Sequence, residues 1–255
     1  MGEAKINPHS GVPLWRQVAD GLLSDIRARR LDINDRVPGY RDIATTWRVG
    51  PSTALAALNH LRNSGIISSD RGQAARVLRR PLITRRMAGR YTHNDDRSPI
   101  SADLDRDSVT SAPTGVATTE AASRSIARRL GIPEGDPVSR VDYLWVDDAG
   151  PIQRSTQWEP LSITGGTAAE IPPSSGDPHV IARMNAIGVT TTHVNEQYSA
   201  RMPTLEESEE LEMSEGVPVF FVERTHFADS TPVETADISI RGDRTIISVD
   251  HPVGE

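Results

Sequence analysis

Seven histidines, 35 carboxylates and many serines give this 255-residue chain the raw material for acid–base, nucleophilic or metal chemistry. Their spacing does not organise it. No nucleophile elbow, Walker loop, HExxH helix or dinucleotide fingerprint is present. There is no cysteine, which excludes thiol catalysis, disulfides and Cys-ligated zinc or iron–sulfur sites. Asp177 to His179 lacks the partner spacing of a metal site. Glu206, Glu207, Glu209, Glu210 and Glu212 read as a solvated helix face, and His193 as structural or solvent-facing. No catalytic residue, metal or cofactor is expected. What remains is arginine: Lys5 is the only lysine, and guanidinium favours bidentate contacts to phosphate and guanine, although GC-rich codon usage also accounts for the bias. Residues 1–90 hold 16 Lys+Arg against 7 Asp+Glu, whereas residues 91–255 hold 12 against 28. One end is therefore built to meet a polyanion, or is a solvated basic face, and the larger end is neither.

The elements that would position these arginines follow from apolar spacing. Leu14, Val18, Leu22 and Ile26 fall at i, i+4 behind Pro13 and predict a first helix. Tyr40 to Trp47 predicts a second, with Ile43, Ala44 and Trp47 inward. Arg48-Val49-Gly50-Pro51 reads as a tight turn in which glycine supplies positive φ. A third helix runs from Ser52 to about Asn63 on a stripe of Ala54, Ala57, Leu58 and Leu61, with Gly65 as its left-handed cap. Ile66-Ile67 and Ala75 to Leu78 are two short strands around a turn at Gly72. The second and third helices make a helix-turn-helix, and the strands make a wing.

The stretch Val37-Pro38-Gly39-Tyr40-Arg41-Asp42-Ile43-Ala44, with Trp47-Arg48-Val49, Thr53 to Leu58, Leu61, Gly65-Ile66-Ile67 and Gly72, resembles the DNA-binding domain of GntR-type bacterial transcription regulators over residues 12–80. The resemblance implies that Arg41 reaches DNA. It also implies contacts from Arg48 in the turn, from Ser52, Thr53 and Leu55 at the start of the third helix, and from Arg71, Gly72 and Gln73 in the wing. The family's recognition helix usually opens Ser-Arg-x-Thr-x-Arg. Here Gly50, Pro51 and Leu55 stand in place of the serine and both arginines. Leu55, off the core stripe, either packs on a thymine methyl or is a partly buried surface residue. Ser52 and Thr53 either touch DNA or cap the helix.

Beyond Pro81 to Ser98, read as a linker, the chain repeats itself. Leu130, Glu134, Gly135, Pro137, Val138, Asp148 and Pro151 recur 81 residues later as Leu211, Glu215, Gly216, Pro218, Val219, Asp229 and Pro232. Each copy predicts a helix, a glycine-proline turn, a strand, a hairpin and a second strand; the first helix is placed from about Thr118 to Gly131, the second from Thr204, capped by Glu207. Between the copies lie a helix bounded by Asp177-Pro178 and Gly188 and a long strand near Thr190 to Ala200. The strand Val138 to Val146 puts Arg140 and Asp142 on one face, and Val141, Tyr143 and Trp145 on the other. Hairpins predict a mostly antiparallel sheet, and duplication predicts a pseudo-two-fold with a cleft between halves. Arg140 with Asp142 is a ligand contact or an in-sheet ion network. Glu234, opposite number of Gln153 at the same offset, lines the cleft or is simply a polar strand residue.

Leu130 to Arg140, Gly150-Pro151-Ile152, Pro160, Pro232-Val233-Glu234 and Arg241 to Arg244 resemble the effector-binding UTRA domain of the HutC-type subgroup, which shares the chorismate lyase fold. The resemblance implies that Arg140 and Glu234 touch an effector. Thr156, Gln157 and Trp158 stand where sugar-phosphate-binding relatives have Glu, Ser and Tyr, and Ile240 replaces a late tyrosine. A less polar or flatter ligand, near Thr156 and stacked on Trp158, is expected instead.

The expected molecule is an α+β protein. It has a winged helix-turn-helix domain over 1–80, a linker over 81–98 and a chorismate-lyase-like effector domain with a mostly antiparallel sheet over 99–255. It is expected to be a cytoplasmic homodimer and a repressor, released from double-stranded operator DNA by a small-molecule effector. No run approaches 18 apolar residues and no apolar stretch follows Met1 to Lys5, so neither a membrane span nor a secretory leader is expected. Two other readings stay open: a DNA-binding module whose C-terminal domain senses nothing, and a chorismate-lyase-like enzyme using an Arg and a Glu on an aromatic carboxylate.

Overall fold

The computed structural model describes residues 6–68, 74–78, 82–91, 97–107, 109–147, 150–173, 179–213 and 215–251. The chain divides into two compact units, Met1–Leu82 and Ile83–Glu255. In the first, α1 (Leu14–Arg27), α2 (Tyr40–Trp47) and α3 (Pro51–Asn63) bury Val18, Leu22, Ile26, Ile43, Ala54, Ala57, Leu58 and Leu61 together, closed by Ile67 and Val77. Ile67 and Val77 bridge antiparallel, as do Arg36 and Arg76. In the turn before α3 the left-handed residue is Arg48, at φ 52°, and not Gly50, which is extended at φ −64°. Pro51 explains the exchange, because the residue before proline is driven out of the helical regions. Gly65, at φ 66°, takes the left-handed position after α3 as expected.

Trp47 lies across α1 at Gly21. A Cβ on Gly21 would come within 1.9 Å of the Trp47 ring. Gly21→Ala is therefore expected to destabilise this unit by about 1–3 kcal/mol of overpacking, although alanine is the better helix former by about 1 kcal/mol. Thermal unfolding of the full chain measures the sign.

The second unit holds a six-stranded antiparallel sheet in the order β2-β3-β4-β7-β6-β5. Its strands are β2 (Ala112–Ala121), β3 (Pro137–Asp147), β4 (Gly150–Pro160), β5 (His193–Arg201), β6 (Val219–Ala228) and β7 (Thr231–Arg241). The 81-residue offset carries β2, β3 and β4 onto β5, β6 and β7, so the sheet is a palindrome. Thr156 pairs with Asp237, its own equivalent, which places the pseudo-two-fold at that pair. The repeat reaches details: register shifts fall at Trp145/Val146 and at His226/Phe227, and Ser111 Oγ donates to the Val146 carbonyl as Thr192 Oγ1 does to that of Phe227. It also includes α4 (Pro99–Arg106) and α7 (Val180–Ala186), as well as α5 (Arg124–Leu130) and α8 (Leu205–Glu210). A short α6 (Leu161–Thr164) follows β4.

Three expectations change here. Thr118 to Ala121 is the end of strand β2, not helix: Pro113, Gly115 and β-branched Thr114, Val116, Thr118 and Thr119 are poor helix formers, and α5 starts only after its cap Ser123. The stretch assigned to a linker contains β1 (Ile83–Arg86), which pairs in parallel with β8 (Thr245–Ser248) and belongs to the second unit. Glu207 is not solvated: it closes the expected capping box with Thr204, pairs with Arg201 and accepts from Ser239. Glu206 and Glu210 hold Arg154. His193 is exposed and stacks on Phe227, and residues 148–149 of the hairpin and Asp177-Pro178 lie outside the described residues.

Candidate functional site

Strand alternation gives the sheet two faces, and they differ in chemistry. One carries Val138, Arg140, Asp142, Thr156, Trp158, Thr235, Asp237 and Glu223, with α5 and α8 packed on it. The other carries Ser139, Gln157, Glu159, Glu234 and His226, all buried, and Arg224 and Glu196, half-buried. Glu234, fully buried, accepts from Arg224 at 2.7 Å and shares a 2.6 Å contact with His226 Nδ1. Arg183 of α7 grips Glu159 with both terminal nitrogens, at 2.7 and 2.9 Å. Glu196 collects Arg85 from β1, the Tyr91 hydroxyl at 2.6 Å and the Tyr198 hydroxyl at 2.6 Å. The Tyr91 ring stands edge-on to His226 at 5.7 Å, and Arg90 is held by Asp103 of α4.

Charge in this cluster is balanced pairwise. Burial would raise the Glu234 carboxyl, but the Arg224 guanidinium and then His226 hold it at about 2. Burial lowers His226 despite Glu234, so the ring is neutral at pH 7, and burial pushes the Tyr91 phenol up to about 12. These shifts set a pH dependence. The unfolded chain takes a proton on His226 near 6.5 and the folded cluster resists it, so acid favours unfolding below that value. Glu234 adds the same sign, with stability present above its ordinary 4.5 and lost toward about 2. Melting temperature should therefore fall below pH 6.5, opposed in part by Glu159, whose carboxyl is raised by burial, and His226→Gln should lessen the fall.

Several polar atoms of the cluster are left over. Among the described residues, Arg224 Nε, Gln157 Oε1, Ser139 Oγ and Arg90 Nε are buried without a hydrogen-bond partner. A buried polar group without a partner costs about 1–3 kcal/mol, and native structures retain few of them. Gln157 and Arg224 occupy one row of the sheet, on either side of Ala236, whose methyl leaves the floor between them low. The arrangement offers two donors and two acceptor-capable oxygens among pairwise-balanced charges. It holds no nucleophile–base pair, and no group of three or more metal-ligating side chains occurs among the described residues.

The four residues expected at the effector do not converge. Glu234 lies in this cluster, but Arg140, Thr156 and Trp158 point from the opposite face. There Arg140 pairs with Asp142 and Glu120, Thr156 donates to Asp142 at 2.6 Å, and Trp158 donates to Glu120 at 2.8 Å. The Trp158 ring is 8% exposed beneath Ile126, Ala127 and Leu130 of α5, so it offers no stacking surface. Arg183, Arg224, His226, Gln157 and Tyr91 were missed. The repeat held a signal for two of them: Tyr143 and Trp145, which are core, become Arg224 and His226 at the 81-residue offset.

In the first unit Arg41, Arg48, Ser52 and Leu55 are exposed and Thr53 is half-buried; Arg71, Gly72 and Gln73 lie outside the described residues. Arg36, Arg41 and Arg48 are exposed and make no ion pair with another described residue. The N-cap of α3 is Gly50 with no side-chain cap, so neither Ser52 nor Thr53 is used to cap the helix.

Two family models match the chain: the UTRA domain over residues 111–245, and bacterial regulatory proteins of the gntR family over residues 14–77. A crystal structure assigned to the GntR family of transcriptional regulators is 30% identical, covers 95% of this chain and 98% of its own, and superposes with a TM-score of 0.61. PhnF from Mycobacterium smegmatis has the same fold at 21% identity and a TM-score of 0.63, over 93% of this chain and all of its own. The HTH-type transcriptional regulator SCO4628 of Streptomyces coelicolor is 26% identical, over 94% of this chain and 93% of that protein. The HTH-type transcriptional repressor NagR of Bacillus subtilis is 23% identical, over 94% of this chain and 95% of its own length.

Proposed function

Since this chain belongs to the GntR family of bacterial regulatory proteins and carries a UTRA domain, we propose that it is a cytoplasmic, homodimeric repressor that a small-molecule effector releases from its operator. The observation that carries the sensing half is the set of buried, unpartnered groups on one face of the sheet, Arg224 Nε and Gln157 Oε1 in one row and Ser139 Oγ in the next. A ligand that donates to Gln157 Oε1 and accepts from Arg224 Nε would gain hydrogen bonds that no protein group makes there. The proposed route of the signal is short. Arg85, Arg90 and Tyr91, which wall the cluster, lie within nine residues of the end of the DNA-binding unit at Leu82. An effector that remakes the Glu196 contacts moves the first strand of the sensor. It releases DNA only by binding the DNA-incompetent arrangement more tightly than the competent one.

A twofold-symmetric protein reads a roughly palindromic operator, with α3 of each copy in successive major grooves. Two measurements test the reading. Selection from random duplexes with the full chain should return such a palindrome. A thermal-shift screen of metabolites should find a compound that raises the melting temperature and lowers operator affinity together. A compound that stabilises the protein without touching operator affinity would remove the sensing half of the proposal.

A further inference from the structure

We infer that α3 reads thymine methyl groups rather than guanines, and that Leu55 is the residue that sets this specificity. The inference rests on the proposed entry of α3 into the major groove. The helix has one face in the core, where Ala54, Ala57, Leu58 and Leu61 are all but fully buried. Its solvent face is Ser52, Leu55, Ala56 and Asn59, all exposed, with Leu55 at 44%. A single exposed leucine is ordinary on a protein surface. Here it is the longest side chain on the first two turns of the helix, with the Ala56 methyl beside it and the short Ser52 and Thr53 before it.

Guanine is read by a guanidinium or ammonium group that spans O6 and N7, and α3 offers none in its first two turns. Its basic groups, His60 and Arg62, sit in the last turn. His60 leans on the Trp15 ring at 5.3 Å, and Arg62 donates to Asn59 at 2.9 Å. An apolar side chain at the floor of the groove has one favourable partner, the 5-methyl of thymine, and it leaves guanine O6 and N7 desolvated. The half-site under α3 is therefore built on T·A pairs, while phosphate attraction comes from the exposed arginines around the helix.

The test uses the full chain and synthetic duplexes. The preferred duplex is selected from a random library, and each thymine of the half-site is then replaced singly by deoxyuridine, which removes only the methyl. One replacement should weaken binding about fourfold, the worth of one buried methyl. Leu55→Ala should bind the thymine and uracil duplexes equally at that position, with an unchanged melting temperature, since Leu55 is exposed. A half-site whose only indispensable bases are guanines, or a Leu55→Ala protein that still discriminates thymine from uracil, overturns the inference while leaving operator binding intact. Failure to select any duplex overturns the operator reading and the inference with it.

Discussion

Arg41→Ala is expected to weaken operator binding tenfold to a hundredfold at fixed salt, the worth of one bidentate arginine contact of about 1–3 kcal/mol. The side chain makes no ion pair with another described residue. It stands on the first turn of α2, exposed, with its guanidinium over the Tyr40 ring at 5.6 Å and its Nε donating to the Tyr40 hydroxyl at 3.1 Å. The capping of α2 depends on Gly39 and Asp42 and not on Arg41. Alanine at this position is a good helix former, so the melting temperature should not move. A phosphate role would also reduce the salt dependence of binding by about one counterion, whereas a base role would not. Equal affinity of variant and wild type, measured in one buffer, refutes the assignment.

The second large effect concerns the buried pair. Arg224→Met alone strands Glu234 in the interior and should cost about 3–5 kcal/mol of stability. Arg224→Met combined with Glu234→Gln removes both charges and keeps a carbonyl for His226, so most of that loss should return. The double variant is expected to bind operator like the wild type and to answer no effector, because Arg224 Nε, the donor proposed to address the ligand, is gone. Arg140→Ala should retain the wild-type effector dose response, since Arg140 serves Asp142 and Glu120 on the opposite face. A double variant with a normal dose response, or an Arg140→Ala protein without one, would move the effector site to the other side of the sheet.

Much of the fold could be read in the chain, and where it could not the reason is distance or parity. The helices of the first unit are local and amphipathic, so α2 falls at Tyr40–Trp47 as read. The repeat transferred β3 and β4 to β6 and β7 because Gly135, Pro137 and Pro151 recur as Gly216, Pro218 and Pro232. Strand β1 stayed hidden: four residues carry no period, and its partner Thr245 is far along the chain from Ile83. Only the end of β2, Thr118 to Ala121, reads as helix from the chain, where its pairing with β3, also non-local, decides the matter. At the site, alternation separated Arg140 from Tyr143 correctly. It could not say that α4 and α7 would dry out one face while α5 and α8 covered the other. Arg224 and His226 were visible only as departures of one copy from the other.

The Thr156–Asp237 axis has a consequence for stoichiometry. A sheet made of two equivalent halves offers two equivalent places for a small molecule, yet only one is equipped. In the other, Tyr143, Trp145, Ile152 and Leu104 have been recruited into a hydrocarbon core. The copies have thus diverged: Tyr143 and Trp145 of one are core, whereas their equivalents Arg224 and His226 join Ser139 and Gln157 in the polar cluster. If the buried cluster is the effector site as proposed, one effector should bind per polypeptide, inside a scaffold that still has the symmetry of two.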